Sequence, residues 1–345
     1  MHFKNLFTIA SLFLILGTFN ALSQNLKPTA DHHIHIRSEA SSKALVTLQK
    51  ELTGREIPLL VLTGSDQVIK MLDEAEIEHG VLLSVAYFFA APDVDFPNEY
   101  EKVKQENNYI SNQAAKYPNR LAAFCIWNPL SDYAQEEIRR CSKLPQVAGL
   151  KLHLANSDVD LRKKDHVQKL STIFQLTEKL DIAIVIYLFT RNQDYGKMDA
   201  SIFVNKVLDN APNLNVQIAH LGGAGAFNET TSEIIKYFDR ASSEKPNILD
   251  EDVLFDISAT VSNPEAALTR GDTSRTMDIR ENNKTLAQKL ELLDSNRLLF
   301  GTDWIALSRK PADYSALLKS MPIQSSMLEE IFKNEAPYFK RVEND

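Results

Sequence analysis

Short apolar runs alternate along the chain with longer segments in which apolar residues recur at helical spacing. Most of the short runs are almost continuously apolar, which is typical of strands that are buried on both faces of a sheet. Eight such runs are bounded by turn residues, at 29–35, 80–86, 120–126, 147–153, 183–188, 215–220, 253–258 and 297–302. Helices are predicted between them at 66–78, 99–116, 134–143, 165–180, 200–210, 233–240 and 284–293. Strands that alternate with helices in this way predict the α/β class, as a single (β/α)8 TIM barrel.

The first 23 residues have the features of a secretory signal peptide. Lys4 precedes an apolar run at 6–16 that is too short to span a membrane, and small residues, Ala21 and Ser23, stand where a signal peptidase would cleave. We therefore expect residues 1–23 to be removed and residues 24–345 to form the barrel domain of an exported protein, periplasmic or secreted. Two long segments that follow strand ends, 38–64 and 261–282, are the expected substrate loops.

Composition excludes one class of partner and sets an expectation for the two cysteines. The net charge is −8 with no basic tract, which argues against a nucleic-acid ligand. A small-molecule substrate is expected instead, with no membrane span in the mature chain, and a homodimer is compatible with the sequence. Cys125 and Cys141 could pair, but a barrel core needs no disulfide, so we expect two free, buried thiols.

The segment Asp31-His32-His33-Ile34-His35 ends the first predicted strand. Residues two apart in a strand point to the same side, so His33 and His35 present two imidazoles to one face. Two neutral nitrogen donors in one space are the start of a transition-metal site. The last predicted strand leads into Asp303, and closure of a barrel would bring this carboxylate beside both histidines.

Two further histidines end predicted strands, where barrel active sites are built. His153 ends strand four, two residues after Lys151, so both side chains share one face of that strand. His220 ends strand six and is followed by Gly222 and Gly223, which allow the backbone to approach the site closely. For Lys151 and His153 the structural alternative is a hydrogen-bonded pair inside the barrel.

Four motifs together resemble those of the amidohydrolase superfamily: Asp31-x-His33-x-His35, Gly149-x-Lys151-x-His153, Ala219-His220-x-x-Gly223 and Phe300-x-x-Asp303. The branch they resemble is the amidohydrolase-related (amidohydrolase-2) group, which includes aminocarboxymuconate semialdehyde decarboxylase-like proteins. This resemblance implies a barrel of the metal-dependent hydrolase type, with His33 and His35 as metal ligands. It also implies that Asp303 is a ligand and proton shuttle, and that His220 is a ligand or an acid/base group.

One position departs from the family pattern. Members usually carry a metal-binding histidine at the end of strand five, where this chain has Tyr187. A neutral phenol is a poor zinc ligand because its pKa is ~10. We therefore expect His153 to replace the missing ligand. Lys151 would repel a metal unless it were carbamylated, as in some superfamily members, or it would hold a substrate carboxylate.

The expected function is hydrolysis of an amide, ester or lactone of a small molecule by a metal-activated water, with Zn²⁺ as the expected divalent metal. Asp303 would accept the proton of that water, and His220 would polarise the scissile carbonyl. Lys151 and Tyr187 complete the predicted catalytic set.

Two alternatives remain open. The first is a carboxy-lyase (decarboxylase) or hydratase that acts on a carboxylated substrate, with Lys151, Arg37 and Arg191 as sources of positive charge. The second is a non-catalytic binding barrel with a decayed metal site, for which Tyr187 is the main argument.

Overall fold

The structure is a computed structural model that describes residues 26–59, 63–249, 252–269, 271–304 and 310–342. The predicted signal peptide at 1–23 lies outside the described residues, so the structure does not test it. Among the residues that are described, no helix combines the length and the apolar character needed to cross a membrane.

A parallel sheet of eight strands forms the centre of the molecule, with the strands paired in chain order. The strands are β1 (Ala30–His35), β2 (His79–Leu83), β3 (Leu121–Ile126), β4 (Val147–His153), β5 (Ala183–Tyr187), β6 (Val216–Ile218), β7 (Val253–Asp256) and β8 (Leu298–Leu299). Each adjacent pair from β1 to β8 is parallel, for example His153 beside Tyr187. The prediction of a (β/α)8 barrel is confirmed.

The first and last strands meet and close the barrel. The amide of His32 donates to the carbonyl of Phe300 at 3.0 Å, and the amide of Asp303 donates to the carbonyl of His33 at 2.9 Å. Beyond β8 the chain continues alongside β1, where Ile34 and Trp304 form a parallel bridge. Closure therefore places Asp303 directly beside the predicted histidine pair.

Helices follow the strands around the barrel. They are α1 (Glu39–Thr53), α2 (Ser65–Glu74), α3 (Glu99–Ala114), α4 (Ala134–Cys141), α5 (Lys164–Lys179), α6 (Lys197–Lys206), α7 (Glu229–Glu244), α8 (Pro264–Leu268), α9 (Thr273–Leu290), α10 (Pro311–Lys319), α11 (Ser325–Lys333) and α12 (Phe339–Val342). The first long insertion contains α1, and the second contains α8 and the start of α9.

The ends of α1 are fixed by capping residues. Ser38 caps its start by accepting a hydrogen bond from the Ser41 amide at 3.2 Å, and Gly54 ends the helix in the left-handed region, at a φ of 68°.

Tight packing between strands fixes the position of the residues above it. A Cβ at Gly149 would lie 2.3 Å from the carbonyl oxygen of Ala183 and 2.5 Å from the ring of Phe124, so only glycine fits there. At the other end of the barrel the C-terminal segment packs against the sheet, and the Tyr338 hydroxyl donates to Gln217 Oε1 at 2.7 Å. The strands are therefore anchored from below, while their carboxyl ends remain available for chemistry.

The two cysteines form a disulfide, so the prediction of free thiols is wrong. Cys125 lies in β3 and Cys141 at the end of α4, and both are completely buried. The neighbouring Phe124 belongs to a separate apolar cluster, so Cys125 points to the other side of β3, toward α4. Packing of α4 on the strand brings the two Cα atoms to 6.4 Å, which is within disulfide reach.

Candidate active site

Strand β1 presents both predicted metal-binding histidines with one ring nitrogen already used. His33 Nδ1 lies 3.0 Å from Asp256 Oδ2, and His35 Nδ1 lies 3.3 Å from the carbonyl oxygen of Leu83. A neutral imidazole that donates from Nδ1 keeps a lone pair on Nε2. Because Asp256 and the Leu83 carbonyl each contact an Nδ1 atom, the Nε2 atoms of His33 and His35 both remain acceptors. This is the state that a metal ligand requires.

Asp303 completes a group of three donor atoms. Its Oδ1 lies 3.6 Å from His33 Nε2 and 3.4 Å from His35 Nε2. The residue has a left-handed backbone at a φ of 57°, held by the hydrogen bond from its amide to the His33 carbonyl. The prediction that barrel closure joins Asp303 to the histidine pair is confirmed.

These three side chains fit a divalent metal. Burial lowers the pKa of His33 to about 4 and places the pKa of His35 well below its ordinary value, so both rings are neutral near pH 7. Two imidazole lone pairs and a carboxylate group thus face one another, an arrangement that a shared cation stabilises. Two histidines and one carboxylate form a ligand set that leaves coordination positions open for a substrate.

Lys151 lies at the edge of this group. Its Nζ is 3.4 Å from His33 Nε2, and the residue is almost completely buried inside the barrel. Burial lowers the pKa of the amine to about 8, while the charges of Asp256 and Asp303 oppose that shift. The structure therefore brings Lys151 to the predicted site, as a donor facing the same space as the histidines.

His220 reaches the site from a sharp turn instead of from a strand. Strand β6 ends at Ile218, two residues earlier than predicted, and His220 and Leu221 both have left-handed backbones, with φ values of 54° and 55°. The amide of His220 donates to Asp256 Oδ1 at 3.0 Å, which supports this strained conformation. Its Nδ1 lies 2.8 Å from the carbonyl oxygen of Ser258, so Nε2 is the nitrogen left for the cavity.

His153 and Tyr187 form one wall of the site. Their rings stack with centroids 4.0 Å apart, and His153 Nδ1 accepts a hydrogen bond from the Asn156 amide at 3.2 Å. In a neutral ring this places the proton on Nε2, which makes His153 a donor toward the cavity. Among the described residues, the group around Asp303 does not include His153, so its predicted role as substitute ligand receives no support.

Tyr187 is a neutral phenol in this environment. Burial and the negative charge of Asp303 raise its pKa to about 12, and its hydroxyl lies 3.3 Å from the carbonyl oxygen of Ala224. A phenol with this pKa does not ionise near pH 7. Tyr187 therefore occupies the position of the usual family ligand as a packing and hydrogen-bonding residue.

Asp256 is the functional residue that sequence reasoning missed. It is completely buried at the end of β7, where Oδ2 also accepts from Gln217 Nε2 at 2.7 Å and Oδ1 from the Ser258 amide at 3.1 Å. The Ser258 hydroxyl donates to Oδ1 as well. Burial alone would raise the pKa of Asp256, but His33 and the other nearby donors hold it well below its usual range. The sequence feature that pointed to Asp256 is its position, since it is a carboxylate at the end of the apolar strand Val253–Asp256.

A cavity of about 450 Å³ opens above these groups. The rings of Tyr87, Phe88 and Tyr187 contribute aromatic walls, and Arg37 and Lys151 contribute cationic groups. Arg191, predicted as another source of charge, is held by Asp93 through contacts of 2.8 and 2.5 Å and is not among the residues that line the cavity. The site therefore combines a metal-ligand group with a pocket suited to a flat, anionic molecule.

Comparisons with known proteins identify the family and similar folds. The model of the family described as amidohydrolase matches residues 83–324. A search of curated proteins finds no match.

Three solved structures similar to this chain are all decarboxylases. The 5-carboxyvanillate decarboxylase of Sphingomonas paucimobilis is 15% identical with a TM-score of 0.59, over 92% of this chain and 99% of the other. A 2,6-dihydroxybenzoate decarboxylase in complex with 2,6-dihydroxybenzoate is 18% identical with a TM-score of 0.59, over 93% and 100%. The dihydroxybenzoic acid decarboxylase of Polaromonas sp. JS666, with bound manganese and 2-nitroresorcinol, is 17% identical with a TM-score of 0.55, over 92% and 97%.

These similarities contradict the prediction of a hydrolase. Barrels of the same fold occur in enzymes that remove a carboxyl group, and the expectation of water attack on an amide, ester or lactone is therefore wrong. The motifs indicate a metal site, and hydrolysis and decarboxylation both need one. The motifs therefore do not show which bond of the substrate is broken.

Proposed function

The chain belongs to the amidohydrolase family, and within it we propose that this protein is a metal-dependent decarboxylase of a small, ring-containing carboxylic acid. The observation that carries the proposal is the convergence of His33, His35 and Asp303 on a cavity with cationic groups and aromatic walls. The decarboxylases with similar folds support the same reaction class.

His33, His35 and Asp303 would hold the divalent metal. When bound, such an ion would supply Lewis acidity, which stabilises negative charge that develops on the substrate. This ligand set accepts Zn²⁺, which the sequence suggested, and also Mn²⁺, which the Polaromonas relative contains. Metal analysis of protein purified without added metal would decide between the two.

Lys151 is suited to bind the carboxylate that leaves. Its ammonium faces the cavity beside His33 Nε2, and a substrate carboxylate would supply the charge partner that this buried amine needs. His220 Nε2 is free to accept a hydrogen bond from a substrate hydroxyl, since Nδ1 donates to Ser258. His153 can donate from Nε2 on the opposite wall.

Asp303 is the group placed to deliver the proton. When the bond to the carboxyl group breaks, the electron pair stays on the ring carbon, which must take up a proton as carbon dioxide departs. The Asp303 side chain is 13% exposed and lines the cavity, whereas Asp31 and Asp256 are sealed within the barrel. Asp303 can therefore take a proton from solvent, pass it to carbon and be reprotonated for the next turnover.

A test would combine product analysis with a matched variant. A panel of aromatic carboxylic acids is incubated with metal-loaded protein, and carbon dioxide and the decarboxylated ring are both quantified. We expect equal amounts of the two products, loss of activity after chelation and recovery with added metal. Asp303→Asn should abolish turnover, whereas Asp313→Asn, on the exposed side of α10, should not. Hydrolytic products in place of carbon dioxide would contradict the proposal.

We also propose that the protein is exported. The signal-peptide features at 1–23 support this, and so does the Cys125–Cys141 disulfide, since disulfides persist in oxidising compartments. N-terminal sequencing of protein from the periplasm or medium should find a mature chain that begins near Gln24. An intact Met1 in the soluble cell fraction would be the contrary result.

A further inference from the structure

Arg37 carries a buried positive charge that forms no ion pair with a carboxylate among the described residues. It follows His35 by two residues, is 6% exposed and lines the cavity. In the part of the chain that the structure describes, its Nε is buried without a hydrogen-bond partner. Buried guanidinium groups are normally paired, because removing the charge from water is costly.

The acidic groups nearby are already engaged elsewhere. Glu106 is close enough for its charge to act on Arg37, but its oxygens accept hydrogen bonds from the Ser38 amide at 3.0 Å and the Ser41 hydroxyl at 2.8 Å. The Ser38 hydroxyl donates to Glu106 as well. These bonds hold the start of α1, and Arg37 is left facing the cavity.

Arg191 shows the opposite arrangement. Asp93 binds two nitrogens of its guanidinium, and Nε donates to the Ala155 carbonyl at 2.6 Å. Because that charge is satisfied within the protein, Arg191 has a structural role. Arg37, with a buried Nε that has no hydrogen-bond partner among the described residues, has the features of a binding residue whose partner is supplied by a ligand.

We propose that Arg37 forms an anion subsite for a second carboxylate of the substrate, which makes the substrate a planar dicarboxylic acid. This inference rests on the proposed decarboxylase function. One carboxylate would lie at the end of the cavity near Lys151 and be removed. The other would be retained in the fork of Arg37, whose paired N–H groups match the geometry of a carboxylate.

The cavity that Arg37 and Lys151 both line suits such a molecule. Its volume of about 450 Å³ is in the range of small-molecule sites, and the rings of Tyr87 and Phe88 line it together with Arg37. Among the residues that line the cavity, Arg37 and Lys151 bring two positive charges to set against the single carboxylate of Asp303, before any metal is added. This charge balance favours a dianion over a monocarboxylate.

Binding of isophthalate and benzoate would test the subsite without requiring turnover. Calorimetry on Mn²⁺-loaded wild type should show isophthalate binding more tightly than benzoate by on the order of 10–100-fold, the effect of one charge-assisted, bidentate contact. Arg37→Met should remove this preference and leave benzoate affinity unchanged, and Arg37→Lys should retain part of it. Arg55→Met, an exposed arginine in the same insertion, is the control and should behave as wild type.

The outcomes separate this inference from the reaction. An isophthalate preference that survives Arg37→Met, or no isophthalate binding to wild type, overturns the subsite. Thermal unfolding checks for a structural role: an unpaired Arg37 predicts an unchanged or higher Tm in Arg37→Met, and a large drop with loss of both ligands overturns the subsite as well. If the Arg37-dependent preference is found but no carboxylic acid is decarboxylated, the subsite stands and the proposed reaction fails.

Discussion

Replacement of Asp256 by asparagine tests whether this buried carboxylate sets the tautomer of His33, a candidate metal ligand. Oδ2 accepts from His33 and Gln217, and Oδ1 accepts from the His220 amide and from Ser258. An asparagine has one carbonyl oxygen, so its NH₂ group must face one of these donor sets. In either orientation at least two hydrogen bonds to a charged acceptor are lost.

The magnitude follows from that count. Hydrogen bonds to charged groups contribute ~1.5–3 kcal/mol each, so the free energy of unfolding should fall by about 3–6 kcal/mol. If the NH₂ group faces His33, the ring must accept at Nδ1 and carry its proton on Nε2, which removes the lone pair needed by a metal. Loss of such an orienting partner typically weakens metal binding by ~10–100-fold.

The assay is a chelator-competition titration with Zn²⁺ and Mn²⁺, run beside urea unfolding of the same samples. Asp209→Asn is the matched control, since Asp209 is exposed and remote from the site. We expect the control to match wild type in both measurements. If Asp256→Asn also kept wild-type metal affinity and stability, the argument that Asp256 holds the His33 tautomer would be refuted.

Three further changes test other parts of the structure. Tyr187→Phe should retain metal because the phenol stays neutral, whereas Tyr187→His should tighten metal binding by restoring the usual family ligand; unchanged metal content in the histidine variant would count against this. Burial raises the pKa of Asp31 to about 7, so in the folded protein this carboxyl binds a proton that the unfolded chain releases near pH 4. The contribution of Asp31 to the stability of metal-free protein should therefore fall as pH rises from 4 to 7, whereas buried histidines with lowered pKa values, such as His33, contribute the opposite slope. Asp31→Asn should remove this contribution, so the stability of the variant should rise more steeply with pH than that of wild type in urea titrations at several pH values. A slope equal to wild type would contradict the assignment. Replacing Cys125 and Cys141 together by alanine opens a 16-residue loop and should lower the free energy of unfolding by about 3 kcal/mol relative to the oxidised, disulfide-bonded wild type, measured by urea denaturation.

Local sequence pattern was sufficient for the barrel and for the candidate metal-binding group of His33, His35 and Asp303. The period of two along a strand places His33 and His35 on one face whatever surrounds them, and near-continuous apolar runs indicate strands covered on both sides. Once eight such runs imply a closed barrel, the partner of the first strand is the last one. Asp303 could therefore be assigned to the histidine pair across a long stretch of chain.

The reaction class could not be assigned from the same motifs. His33, His35 and Asp303 are chosen by the requirements of the metal, and these are the same for hydrolysis and decarboxylation. What differs is the charge and shape of the cavity above them. Those depend on whether Arg37 and Arg191 are neutralised by neighbours, which a sequence does not show.

Only the tertiary structure decided which side chains become partners. Asp256 contacts His33, which lies 223 residues away in the sequence. Arg191 forms an ion pair with Asp93, whereas Arg37 forms none with a carboxylate among the described residues. Packing of α4 on β3 brings the two cysteines together in a disulfide. A periodic pattern specifies the direction of a side chain, because backbone geometry is local. Hydrogen bonds, ion pairs and disulfides depend on distances of a few ångströms between remote segments, and those distances exist only after the barrel has closed.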